Sequence, residues 1–280
     1  MHNKKTLYVS DLDGTLLLPN ETLSPFTINT LNELIEEGMI FSYATARSQV
    51  TASKVASGLN TRIPVIVYNG AFILDHYSGE IMLSNYFSAA DVLVIRELLT
   101  KENLSPIIYA YINGVEKFSF DSERVNAGNG AFLRSRKDDV RENPVQGDQE
   151  LYAGELFYFV CIDSAERLLP VYQALKDRYN CIFHKDIYSG EQWLEILPLK
   201  ATKANAILQL KAYLHCDRVV AFGDGINDVP MFQVADESYA VANAADELKA
   251  IATGVIGRNT EDAVANWLRT RKDSCRQKPC

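Results

Sequence analysis

Apolar residues recur along this chain in two alternating rhythms, short runs and 3.6-residue stripes, and the alternation predicts a layered α/β protein. The first run, Leu7-Tyr8-Val9, reads as a strand that delivers the chain into Asp11-Leu12-Asp13-Gly14-Thr15. In the stripe that follows, Ile28, Leu31, Leu34 and Ile35 share one face. Ser24 is placed to cap it, Pro25 takes its first position and Gly38 stops it, which predicts a helix. Residues 39–43 then read as a strand, 48–59 as a helix and 63–68 as a buried strand. Strands joined through helices run parallel, so this order predicts a parallel sheet with helices on both faces. Asn69-Gly70 is a turn signal, and residues 71–74 and 81–83 around Ser78-Gly79 predict a hairpin.

The texture changes after Asn85. Residues 89–100 read as a helix and 106–120 as two strands around Asn113-Gly114, whereas 121–150 are polar and give no clear period. A strand at 156–162, a helix at 165–178 and a strand at 181–187 follow. The α/β rhythm is then expected to return with strand 193–197, helix 202–214, strand 218–222, helix 228–234, strand 239–242 and a closing helix at 261–271, leaving 272–280 as a loose tail. The predicted fold class is therefore α/β: a Rossmann-like parallel sheet core from residues 1–84 and 190–280, interrupted by a smaller mixed α/β cap domain at 85–189.

Composition narrows the function. The 280 residues, 47% hydrophobic, suffice for two cores. A formal net charge of −8, from 36 acidic against 28 basic residues, offers no broad cationic surface and argues against nucleic acid as the main partner. No stretch approaches the ~20 apolar residues of a membrane span, and residues 1–6 hold no apolar run of signal-peptide length, so the cytoplasm is the expected location. Cys161, Cys181, Cys216, Cys275 and Cys280 are odd in number and form no Cys-x-x-Cys pair, which predicts free thiols.

The candidate chemistry lies at strand ends. Asp11 and Asp13 sit two apart on a turn loosened by Gly14, and Gly223-Asp224-Gly225-Ile226-Asn227-Asp228 forms a second acidic turn after the apolar run 219–222. In a parallel α/β sheet, ligands bind beyond the carboxyl ends of the strands, so Asp11, Thr45 and Asp224 can meet around one point. Hard oxygen ligands suit Mg²⁺, with Asp11 and Asp224 binding by carboxylate and Asp13 by its backbone carbonyl. An EF-hand starting at Asp11 fails, because it finds Leu16 and Thr22 where Gly and Glu are required. Asn126-Ala127-Gly128-Asn129-Gly130 lacks the Lys-Ser/Thr of a phosphate loop and reads as a mobile loop. The four histidines show no ligand-like spacing.

With these motifs the chain resembles the haloacid dehalogenase-like phosphohydrolases, and among them the Cof-type sugar phosphatases. Asp11 to Thr15 matches the family's first motif, Thr45 in Ala44-Thr45-Ala46-Arg47 the second, Lys203 in Lys200-Ala201-Thr202-Lys203 the third, and Gly223 to Asp228 the fourth, in that order. Ala46 departs from the Gly often found there, and Lys200 is a rival for the third position. The resemblance implies that Asp11 attacks phosphorus to form an aspartyl-phosphate and that Asp13 protonates the leaving alcohol and then activates water. It implies further that Thr45 and Lys203 neutralise and orient the phosphoryl group, and that Asp228 joins Asp11, Asp13 and Asp224 around the metal. Gly14, Thr45, Arg47, Asn69, Gly70, Lys203 and Asn227 are the residues expected to border the substrate, a small phosphorylated metabolite.

Plainer readings stand beside these. Thr45 can be a helix cap, Lys203 a solvated lysine, Arg47 a surface ion pair and Asn69-Gly70 only a turn. The same chemistry serves a phosphomutase, and a degenerate site would serve a phosphate-binding regulator; an intact Asp13 and Lys203 speak against the latter. Which ester is used, and the oligomeric state, do not follow from the sequence.

Overall fold

The computed structural model describes residues 4–185 and 190–276, with side chains described to Arg271. It divides into two compact units: one formed by Met1–Ser84 with Ala201–Cys280, the other by Asn85–Lys200.

The first unit opens with β1 (Thr6–Ser10), α1 (Pro25–Glu36), β2 (Ile40–Tyr43) and α2 (Gln49–Val55). Capping fixes where both helices start. Ser24 Oγ accepts from Thr27 N at 2.9 Å, and Ser48 Oγ from Thr51 N at 3.2 Å. The expected hairpin is one strand longer than predicted: β3 (Val65–Val67), β4 (Phe72–Leu74) and β5 (Ile81–Ser84) form an antiparallel sheet, which β3 ties to the end of β2 through a parallel bridge from Ile66 to Ala44.

The second unit contains α3 (Ala89–Lys101), β6 (Ile107–Ile112), β7 (Val115–Asp121), α4 (Ala127–Ser135), β8 (Glu142–Val145), α5 (Asp148–Leu151), β9 (Glu155–Asp163), α6 (Ala165–Leu175), β10 (Asn180–Lys185) and β11 (Gln192–Leu197). Its six strands lie in the order β10-β11-β9-β6-β7-β8. Ile108, Ala110, Phe159, Cys161, Leu194 and Ile196 point from one sheet face into a core completed by Ile95 and Leu99 of α3 and Leu168 and Val171 of α6.

Three expectations are corrected here. Residues 193–197 do not begin the return to the core: β11 pairs antiparallel with β9 and β10, so the chain re-enters the first unit at Ala201 and not at 190. The signal was the alternation of buried Leu194 and Ile196 with Trp193 and Glu195, which belongs to an antiparallel strand and not to the continuous apolar run of a parallel one. The polar segment 121–150 is ordered, and its period was hidden because β8 carries Pro144, which an edge strand tolerates. Asn126 to Gly130 is the start of α4 and not a mobile loop; Asn126 Oδ1 caps it by accepting from Asn129 N at 2.7 Å. The predicted end of the strand at Ile187 and the domain boundary at Ser189 lie outside the described residues.

Returning to the first unit, the chain forms α7 (Lys203–Tyr213), β12 (Arg218–Gly223), α8 (Val229–Val234), β13 (Glu237–Ala240), α9 (Asp246–Ile251), β14 (Gly254–Val255) and α10 (Ala263–Arg276). The sequence reading missed α9 and β14. It also ended α10 too early, because its backbone runs into the segment expected to be a tail; residues 277–280 lie outside the described part. The five parallel strands lie in the order β14-β13-β12-β1-β2, with helices on both faces. From β1 the chain moves to β2 on one side, and from β12 to β13 on the other, so β1 and β12 flank the topological switch point where such sheets bind ligands.

Cys161 and Cys216 are buried free thiols and Cys181 is a half-buried one, while the Cys275 side chain and Cys280 lie outside the described residues. Among the described residues no helix is long and apolar enough to cross a membrane.

A close backbone approach sets the start of α7. Gly70 has φ +98°, and a Cβ there would collide with the carbonyl of Thr202, the residue that caps α7 through Asn205 N. Gly70→Ala should therefore combine left-handed strain with a backbone clash and destabilise the protein by about 2 kcal/mol or more. Urea denaturation measures it; an unchanged midpoint would show that the contact does not constrain the helix.

Candidate active site

Strand register brings the acidic turns together. Ser10 pairs with Tyr43 on one side and Phe222 on the other, so Asp11, Ala44 and Gly223 leave the sheet at one level. The ladder continues one step, with Asp11 N donating to Phe222 O and Ala44 N to Ser10 O, both at 2.9 Å. Carboxylate oxygens of Asp11, Asp224 and Asp228 lie within 4.8 Å of one another. Gly14 makes this approach possible, since at φ +74° it turns the chain in a conformation other residues avoid, and a Cβ would strike the Asp224 carboxylate. Thr15 Oγ donates to Asp224 Oδ1 at 3.0 Å and orients it.

Lys203, the first residue of α7, supplies the one ammonium group that pairs with this cluster among the described residues. Its Nζ donates to Asp11 Oδ1 at 2.5 Å and to Asp228 Oδ1 at 2.7 Å, and its side chain is 1% exposed. Lys203 is thus the lysine paired with the acidic cluster, whereas Lys200 is exposed and falls in the other unit. Asp228 also holds backbone: its Oδ2 accepts from the N of Asp224 at 2.9 Å and of Gly225 at 3.1 Å, which closes the second acidic turn.

The electrostatics follow from three carboxylates and one ammonium in a dry place. Burial pushes the Asp11 carboxyl well above the usual range; Asp228 and Asp224 push the same way and Lys203 opposes them. Asp224 is raised to about 6, first by burial and then by Asp228. Burial alone would lower the Lys203 ammonium, but Asp11 and Asp228 outweigh it and hold the proton more firmly than on a free lysine. In ionised form the cluster sets three carboxylates against one ammonium, and these hard oxygen ligands are a donor set that fits a divalent cation such as Mg²⁺.

The other sequence-predicted residues fall into three groups. Thr45 is fully buried just past β2, and its Oγ1 accepts from Arg47 N at 3.1 Å, which uses a lone pair and not the hydroxyl proton. Asn69 and Gly70 are buried: Asn69 N donates to Thr45 O, and Gly70 is packed against Thr202. Asn227 is exposed on the helical turn Ile226–Asp228. Asp13 and Arg47 pair with each other. The Asp13 carboxylate is not in the acidic cluster but is 48% exposed and paired with Arg47, and Arg47 also reaches Glu21, so its guanidinium is committed to carboxylates. Sequence reasoning missed Glu21, and also Asn243, whose Nδ2 donates to Gly14 O at 2.8 Å and braces the first acidic turn. Neither stands in a motif, and only the folded loops bring them near.

A parallel α/β sheet with an inserted mixed-sheet unit, and an acidic cluster with a buried lysine at its switch point, defines a class of α/β hydrolases with a domain insertion. The haloacid dehalogenase-like hydrolase family model matches residues 8–268, and the chain belongs to that family. It is an enzyme of the Cof-type phosphatase branch. Among its relatives is a 5-amino-6-(5-phospho-D-ribitylamino)uracil phosphatase of Bacillus subtilis, 26% identical over 96% of this chain and 98% of its own length. Another is an HMP-PP phosphatase of Serratia proteamaculans, 25% identical over 92% of each chain. The same fold occurs in the crystal structure of a haloacid dehalogenase-like hydrolase from Bacteroides thetaiotaomicron, with a TM-score of 0.75 and 24% identity over 95% of this chain and 99% of that one.

Removing the ammonium should expose the strain of the cluster. Lys203→Met leaves Asp11 and Asp228 buried without their counter-charge, and should cost about 3 kcal/mol of stability in chelator-treated protein. Added Mg²⁺ should recover part of the loss through binding to the folded state. Calorimetric melts with and without the ion measure both effects, and a variant as stable as the parent would contradict the charge balance described here.

Proposed function

We propose that the protein is a Mg²⁺-dependent phosphatase that hydrolyses a small phosphate monoester, a sugar phosphate or similar metabolite, through an aspartyl-phosphate on Asp11. The observation that carries this reading is the Lys203 ammonium bound to Asp11 and Asp228 with Asp224 beside them. It leaves Asp11 as a buried carboxylate oriented at a strand end, with positive charge already next to it.

In the first step an oxygen of Asp11 attacks phosphorus in line, the bond to the leaving alcohol breaks, and Asp13 gives the alcohol its proton. In the second step water attacks phosphorus, Asp13 takes the water proton, and the Asp11 carboxylate departs. Thr45 donates its hydroxyl proton to a phosphoryl oxygen and Lys203 offsets the charge that grows there. Asp11 and Asp224 would hold the metal by carboxylate and Asp13 by its carbonyl, with Asp228 orienting the set. When bound, Mg²⁺ neutralises these carboxylates and the phosphoryl oxygens, so an anionic ester can approach. Asn227, on its exposed turn, borders the substrate in this reading.

The phosphatase names of the relatives support transfer to water over transfer to a second sugar. Free thiols at Cys161, Cys181 and Cys216 suit a reducing compartment, and we propose the cytoplasm as the place of action.

Phosphate release from a panel of phosphorylated metabolites tests the reading. The parent protein should release phosphate, a chelator should stop it, and Mg²⁺ should restore it. Asp11→Asn should lose about a thousand-fold or more in kcat with an unchanged circular dichroism spectrum. Turnover retained in that variant, or indifference to the chelator, would refute the mechanism.

A further inference from the structure

Asp13 has a problem that its partners expose. A side chain that moves a proton in both steps needs fixed oxygens, yet Asp13 is 48% exposed on a turn, where an aspartate ordinarily samples several rotamers. Arg47 removes that freedom. Its Nε donates to Asp13 Oδ2 at 2.8 Å and its Nη2 to Oδ1 at 2.5 Å, so a planar fork holds both oxygens in one plane.

Arg47 is itself held from three directions. Its N donates to Thr45 Oγ1 and its O accepts from Tyr68 N, which fixes the backbone against β2 and the turn after β3. Glu21 Oε2 lies 3.0 Å from the same Nη2 that meets Asp13. Glu21 has φ +60°, a left-handed conformation uncommon for a glutamate, in a tight loop closed by Glu21 N donating to Leu18 O and Leu18 N to Thr22 O. The turn that adopts this conformation carries the Glu21 carboxylate to Arg47. As isolated surface ion pairs these contacts would contribute little, because Glu21 is 61% exposed. Their geometric effect is larger than their energy: a chain Glu21–Arg47–Asp13 sets the direction of one carboxyl group.

We infer that Arg47 is a positioning residue for Asp13, braced by Glu21, and not the substrate contact that its place in the second motif suggests. The inference rests on the phosphatase reading above, in which Asp13 shuttles the proton. Misplacing that proton donor affects the two steps unequally. An ester with a poor leaving group, such as an alkyl phosphate, needs the proton when the P–O bond breaks. An aryl phosphate with an acidic phenol leaves without it, but its aspartyl-phosphate still needs Asp13 to deprotonate water.

The experiment compares the full-length parent with Arg47→Lys, Arg47→Ala and Glu21→Ala, and with Asp13→Asn as reference, on an alkyl phosphate and on an aryl phosphate. Lysine keeps the charge and loses the fork. Arg47→Lys and Arg47→Ala should lose about a hundred-fold in kcat on the alkyl ester, with KM changed less than about three-fold. On the aryl ester they should release one equivalent of phenol in a rapid burst before slow turnover, as Asp13→Asn does. Glu21→Ala should show the same pattern at about ten-fold. Near-parental kcat in Arg47→Lys with KM raised alike for both esters would overturn the inference in favour of a substrate contact. Equal kcat losses on both esters without a burst, in variants that melt like the parent or below it, would overturn it in favour of a structural role. Absence of phosphate release by the parent from either ester would instead overturn the phosphatase reading and the inference with it.

Discussion

Everything at the end of this sheet is arranged around one buried ammonium. The Lys203 side chain lies where water does not reach, and it stays charged because two carboxylates take its protons' hydrogen bonds. An unpaired charge in that position would be prohibitively costly, and so would the Asp11 and Asp228 carboxylates without it. The arrangement is mutual: each group makes the burial of the others tolerable. It is also incomplete, since Asp224 adds a third carboxylate that the single lysine does not offset, and the proposed function uses this surplus to draw in a cation and then a phosphoryl group.

The backbone delivers that arrangement with few degrees of freedom. Parallel register sets Asp11 level with Gly223 and Ala44, so three loops start from one edge. Gly14 lets the first acidic turn pass against Asp224, and Gly70 lets the turn after β3 pass against the cap of α7, which fixes where Lys203 enters. Asp228 closes its own turn on the backbone of Asp224 and Gly225 while holding the lysine with its other oxygen. Geometry and charge are thus set by the same few contacts, and a small displacement of any one of them disturbs both.

Much of this was legible in the sequence because it is written in local signals. The cap at Ser24, the Asn113-Gly114 turn and the two acidic turns each state their structure within a few residues. Asp11, Asp224, Asp228 and Lys203 were found because they stand in motifs at strand and helix ends. What was misread depends on pairing partners. The alternation in 193–197 fits an antiparallel strand, yet only the neighbouring β9 and β10 show which sheet it joins. Likewise, Arg47 carries the same charge whether it meets a substrate or a carboxylate, and Glu21 is silent until the loop 18–22 folds back on it. Short elements such as α9 and β14 carry too few residues to establish a period.

The central claim is that the buried, lysine-paired carboxylate of Asp11 becomes covalently phosphorylated during turnover. Reductive trapping addresses it directly: protein quenched with borohydride during steady-state hydrolysis, digested, and read by peptide mass spectrometry. The account predicts conversion of Asp11 to homoserine, dependent on substrate and on Mg²⁺, with Asp13, Asp224 and Asp228 unchanged. Modification at another carboxylate, or none at Asp11 while phosphate is being released, would contradict it.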